Sequence, residues 1–215
     1  MPLNYKAGSA ADFEPVAAGS HIAICDIVAD IGLQPGSGLY PKPKRQVVIR
    51  WNIPAEQIEY EKDGKKMSGP AVIAKRYTAS MNEKANLRHD LESWRGKQFT
   101  DEQAEAFDVS AILGKPCMIN VIHRDKDGKT YANISGVGAI PKGMDSKTLI
   151  SSIPPVFYGP DDTSKYLALP DWIKKLIDGQ IIMAGSKTTD PDAEPEMQGN
   201  QTDDGSYITD EDIPF

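Results

Sequence analysis

Cysteine and histidine are nearly missing from this 215-residue sequence: Cys25 and Cys117 are the two cysteines, and the three histidines stand at 21, 89 and 123. That supply is too thin and too scattered for a thiolate or imidazole zinc site, so no metal is expected. Cys25 and Cys117 each sit in an apolar run and form no CxxC pair, and they read as buried free thiols. Long apolar runs are missing as well. Nothing approaches the ~20 residues of a membrane span, which leads us to expect no membrane partner. The opening "MPLNYKAGSAADF" lacks the charged-then-apolar layout of a signal peptide, and a cytoplasmic location is expected. Catalytic signatures are equally scarce. Gly36-Ser37-Gly38 does not have the spacing of a nucleophile elbow, Gly136-Val137-Gly138 has no phosphate-loop lysine, and no HExxH occurs. Asp26, Glu83 and Asp90 read as surface charges. The expectation is a protein without cofactor that is not an enzyme.

What is present is charge, unevenly spread. The formal net charge is −7, yet nine of the 31 acids lie between Thr188 and Phe215, a stretch with no Lys or Arg. Without them, 22 acids face 24 Lys and Arg, a body of net charge +2. The same stretch is rich in Pro, Gly, Gln, Ser and Thr, and too poor in branched apolar residues to offset the entropy of ordering it. We read 187–215 as a disordered acidic tail. Its last residues, Asp210-Glu211-Asp212-Ile213-Pro214-Phe215, add an apolar tip for which a solubility appendage has no use.

The body alternates in strand fashion. "SHIAICDIVADIG" (20–32) predicts a first strand, and "RQVVIRWNI" (45–53) a second, with Val47, Ile49, Trp51 and Ile53 on the face expected to be core. A Gly- and Pro-rich loop (33–44) joins them. A charged loop (59–69) leads to a third strand, "PAVIAKRYTASM" (70–81). The period then becomes helical over 82–96, with Asn82 as the expected cap and Gly96 as the stop. Thr100 and Gln103 have the spacing of a capping box for a short helix over 100–107. "GKPCMINVIHR" (114–124) and "KTYANISGVGAI" (129–140) are a fourth and fifth strand around the turn "DKDG". "LPDWIKKLID" (169–178) predicts a last short helix. Five strands with the helix between the third and fourth give a mainly β fold with α insertions, in the order of the OB-fold, a five-stranded Greek-key barrel. The expected organisation is an OB-fold nucleic-acid-binding domain over 1–145, a Pro-rich extension over 146–186 whose helix packs on the body, and the tail. An open sheet packed on one side by the long helix is the alternative.

OB-folds bind single strands across the second and third strands and the flanking loops. Here the first loop supplies Tyr40, Lys42, Lys44 and Arg45, the sheet supplies Arg50, Lys75, Arg76 and Tyr77, and the last hairpin supplies Arg124, Lys126, Lys129 and Tyr131. Cations neutralise phosphates and aromatic faces stack bases, so this mixture suits single-stranded DNA gripped without sequence preference. Trp51, on the parity of the core residues, is assigned to packing. Lys75 and Tyr77 alternate opposite to Arg76, so one groove receives all three only at a bulge or a barrel rim.

The tip Asp210-Glu211-Asp212-Ile213-Pro214-Phe215 resembles the acidic terminal peptide of bacterial single-stranded-DNA-binding proteins. The resemblance implies that it recruits replication, recombination and repair enzymes, with the Phe215 ring in an apolar pocket, its carboxylate on a basic side chain and the acids on a basic rim. The stretches "KRYTASMNEKANLRHDLESWRGKQFT", "LGKPCMINVIH" and "GKTYANISGVGAIPKGM" are similar to proteins that tailed bacteriophages encode near their replication genes. Together they imply a phage single-stranded-DNA-binding protein at work in the host bacterial cytoplasm. Three other readings stay open: an adaptor acting only through its acidic tail, a single-stranded-RNA binder, and a nucleic-acid enzyme that assembles its carboxylates from scattered positions.

Overall fold

Runs rich in Ile and Val favour extended backbone, and in the computed structural model they form one sheet. The residues described are 15–36, 41–62, 65–144 and 149–182, and among them the fold is mainly β, a curled half-barrel sheet with a few helices. Strands β1 (Gly19–Gln34), β2 (Lys44–Lys62), β3 (Lys65–Thr78), β4 (Pro116–Lys126) and β5 (Lys129–Gly138) lie in the order β3-β2-β1-β4-β5, all antiparallel. A sixth, β6 (Val156–Tyr158), runs parallel to β1. The sheet curls where extra residues bend its strands, at Asp26 and Ile31 in β1 and at Ser135 in β5. Curling brings the two outer strands together. Parts of β3 and β5 come within 8 Å between Cα atoms, while the ladders of the described strands leave them unpaired.

The concave side holds the main core. Val47, Ile49, Trp51 and Ile53 all point into it, as their shared parity predicts, together with Ala23, Cys25, Ile73 and Ile119. Helix α1 (Asn86–Arg95) closes this side with Leu87 and Leu91. Its Trp94 packs against Trp51 at 6.2 Å between ring centroids and donates its indole N–H to the Pro116 carbonyl. The convex side is not simply solvated. Ile27, Ala29, Ile31 and Val48 form a second core under Ile173 and Ile177 of α3 (Asp171–Asp178), two side chains whose burial stabilises by roughly 1.5–3 kcal/mol each.

Several boundaries differ from expectation. The charged stretch 59–69 is no loop: β2 and β3 continue as a two-stranded ribbon, Tyr60 opposite Met67, as far as Lys62 and Lys65. Pro54 lies where the register slips between Ile53 and Gln57, a place in a strand that tolerates the missing N–H. Asn82 does not cap α1. Its side chain accepts from the Lys84 N–H in a preceding turn, and Ala85 is the N-cap, with no side-chain hydrogen bond. Gly96 ends the helix at φ 68°, where a left-handed conformation favours glycine. The capping box of Thr100 and Gln103 is present at the start of α2 (Asp101–Glu105). β6 lies inside the Pro-rich stretch, where no strand is expected from sequence. It takes the edge of β1 that β4 leaves at Ile24, so the 146–186 extension contributes a strand as well as the helix packed on the body.

Candidate nucleic-acid interface

Where β3 and β5 fail to pair, a cleft of about 590 Å³ opens above the start of α1. Its walls carry Lys44 from β2, Lys75 and Arg76 from β3, Lys84 and His89 from the turn and helix, and Arg124 from β4. One acid, Asp90, joins them. Among the described residues, five permanent cations stand against one carboxylate here, and low-dielectric walls focus such a field. Asn86, Asn133 and Ser135 add neutral hydrogen-bonding groups.

Because β3 is an edge strand here, consecutive residues reach one cleft from both faces. Lys75 points with Ile73 and Tyr77 towards the concave side, Arg76 away from it, and all line the same opening. This is the rim position that the alternation of the third strand requires. The floor is tied together by Asp90, whose Oδ2 accepts from Lys75 Nζ at 2.8 Å and from the Tyr77 hydroxyl at 2.7 Å. The Lys75 ammonium also sits 5.1 Å from the Tyr77 ring centroid.

The twelve residues selected from sequence therefore divide. Lys44, Lys75, Arg76, Tyr77 and Arg124 meet in the cleft. Tyr77 needs correction as a stacking residue: it is 3% exposed, and its ring belongs to the core. Arg50 needs correction as a phosphate ligand, because Nε and Nη2 are both spent on the Asp26 carboxylate, at 3.0 and 2.9 Å. Arg45 pairs with Asp30 at 2.8 Å and lines two other clefts. Lys42, Lys126 and Lys129 are exposed and, with the half-buried Tyr131, lie away from the cleft lining. Tyr40, the tail and the tip residues Asp210, Glu211, Asp212, Ile213, Pro214 and Phe215 lie outside the described residues. Asn133, which shares the parity of Tyr131 on the fifth strand and could face ligand on sequence grounds, does line the cleft. Sequence reasoning missed Lys84 and His89, which belong to a segment read as a helix, and only the tertiary arrangement sets that segment against the basic residues of β2, β3 and β4.

Of the three carboxylates read as surface charges, Glu83 is exposed, whereas Asp26 and Asp90 have other duties. Asp26 is fully buried on the convex side; burial pushes its carboxyl above the ordinary range, and the Arg50 guanidinium draws it back only in part. Asn52 stands beside this pair and donates to the Ile24 carbonyl and the Ser151 hydroxyl. Burial also pushes both Cys25 and Cys117 thiols up, which leaves them poor nucleophiles. Among the described residues no three His, Cys, Asp or Glu side chains are grouped to hold a metal ion, and no helix is long and apolar enough to cross a membrane. No protein-family model matches the chain, and no curated protein is significantly similar to it.

Proposed function

We propose that this chain is a sequence-tolerant single-stranded-DNA-binding protein that coats and protects exposed strands and recruits partner enzymes through its C-terminal tip. The observation that carries the reading is the basic cleft between β3 and β5, with five cations and one acid on its walls. A strand laid there would exchange its condensed counterions for Lys and Arg, which is the main source of affinity in sequence-independent binding. Further support comes from the path of the chain: β1 joined to both β2 and β4, with α1 between β3 and β4, is compatible with an OB-fold. The place in phage replication or recombination, and the recruiting role of Phe215, rest on the resemblances of the sequence.

One observation favours an adaptor acting through the tail alone: Arg45, Arg50 and Lys75 each hold a carboxylate of the protein itself. Fluorescence anisotropy decides between the two. Labelled single-stranded DNA, duplex and RNA oligomers are titrated with the full chain and with a truncation ending at Lys187. The proposed function expects both proteins to bind single-stranded DNA in preference to duplex. Tighter binding to RNA would redirect the reading to an RNA binder, and no binding by either protein would leave the adaptor.

A further inference from the structure

We infer that the β3–β5 cleft grips a strand by its phosphates and leaves the bases outside, so that its ligand class is a flexible sugar–phosphate polyanion whatever its bases. This rests on the reading of the cleft as a nucleic-acid site and concerns how that site works. A sequence-tolerant grip has two sources, cations that track the backbone and aromatic faces on which bases stack. The cleft has the first in quantity. Of the second, among the described residues, it has the Tyr77 ring, which lies in the core with its hydroxyl held by Asp90 and presents no face to a base, and the imidazole of His89, one small ring beside five cations.

Among the described residues, the large rings nearest in the fold do not line the cleft either. Trp51 is buried, and Trp94 is turned inward onto it with its N–H committed to the Pro116 carbonyl. Tyr131, opposite Arg124 on the last hairpin, is half-buried and stands outside the cleft lining. What the cleft offers besides charge is Asn86, Asn133 and Ser135, short polar groups suited to phosphate and sugar oxygens.

The consequence is quantitative. Binding by charge alone follows counterion release, with a slope of log K against log salt near −0.7 for each phosphate neutralised on a single strand. With Lys75 already shared with Asp90, about four or five contacts give a slope of roughly −3. Stacking would add roughly fivefold or more for each base engaged.

The test compares oligo(dT) with an abasic sugar–phosphate strand of equal length, each titrated with the full chain by anisotropy at several salt concentrations. The expected result is equal affinity within about threefold and a common slope near −3. In the variant R76Q/R124Q, checked for native circular dichroism, the slope should become shallower by about 1.4, equally for both strands. Oligo(dT) binding tenfold or more above the abasic strand would overturn the inference and leave the nucleic-acid reading standing. Failure of both strands to bind would overturn the nucleic-acid reading and this inference with it.

Discussion

Two carboxylates that look alike in the sequence act on opposite sides of the sheet. Asp90 is the one acid of the basic cleft and holds Lys75 against its floor. Replacing it with Asn removes a negative charge and releases the ammonium, while the amide oxygen keeps an acceptor for Tyr77. D90N should therefore bind single strands about three- to tenfold more tightly at low salt, and lose about 1 kcal/mol of stability with the charged hydrogen bond. Weaker anisotropy binding by a folded D90N would show that the floor, rather than its charge, matters. Asp26 is different, since its partner Arg50 is what makes its full burial tolerable. R50M leaves that carboxylate without a counterion and should cost about 3–5 kcal/mol in urea denaturation. The pH dependence has a fixed sign. A carboxyl raised in the folded state holds its proton longer there than in the unfolded chain. Its contribution to stability is then greatest below about pH 4 and declines as pH rises through the raised value. Denaturation midpoints of R50M should fall with rising pH more steeply than those of the native chain.

At the scale of elements, much was legible. Alternation located β1 to β5 because each buries one face under the same concave core, and the tight hairpin between β4 and β5 was written in Asp127-Gly128. Both residues have positive φ, 52° and 77°, as a turn matching the strand twist requires. G128A meets open space, so its cost is backbone strain alone; a loss of about 1–2 kcal/mol is expected in thermal or urea unfolding, with the fold retained. Other elements left no sequence signal, for physical reasons. In the ribbon formed by residues 57–62 and 65–70, Glu59, Lys66, Met67 and Ser68 are exposed, and a stretch with so little to bury shows little alternation. β6 has three residues among prolines, and its pairing is decided by the vacant edge of β1. The pairing of Arg45, Arg50 and Lys75 with acids is tertiary, since each partner comes from another element and nothing local marks it. Parity placed Trp51 in the core; the same rule applied to Tyr77, which shares the parity of Ile73, would have withdrawn it from stacking.

For the molecule as a whole, a near-neutral body conceals a strong polarity. The β3–β5 cleft is basic, whereas a larger cleft of about 930 Å³ beside α1 and α2 sets Asp30, Glu83, Asp101, Glu105 and Asp108 against Arg45 and Arg88. A polyanion is attracted to one and repelled from the other, so net charge describes this protein poorly. The nine acids that follow Lys187 are a third party to that field. Fully extended, 28 residues reach at most ~100 Å, so tether length does not keep them from the basic cleft, where they would compete with phosphates as a tethered ligand. Truncation after Lys187 changes the net charge from −7 to +2, and should strengthen single-strand binding about three- to tenfold at low salt. The gain must then shrink as salt rises, because the screening length falls from about 10 Å at 0.1 M to about 3 Å at 1 M. Anisotropy titrations of both proteins across that range separate the cases. A gain that fades with salt identifies electrostatic competition by the tail, whereas equal affinities at every salt concentration would mean that the acids never meet the cleft and serve only what the tip binds.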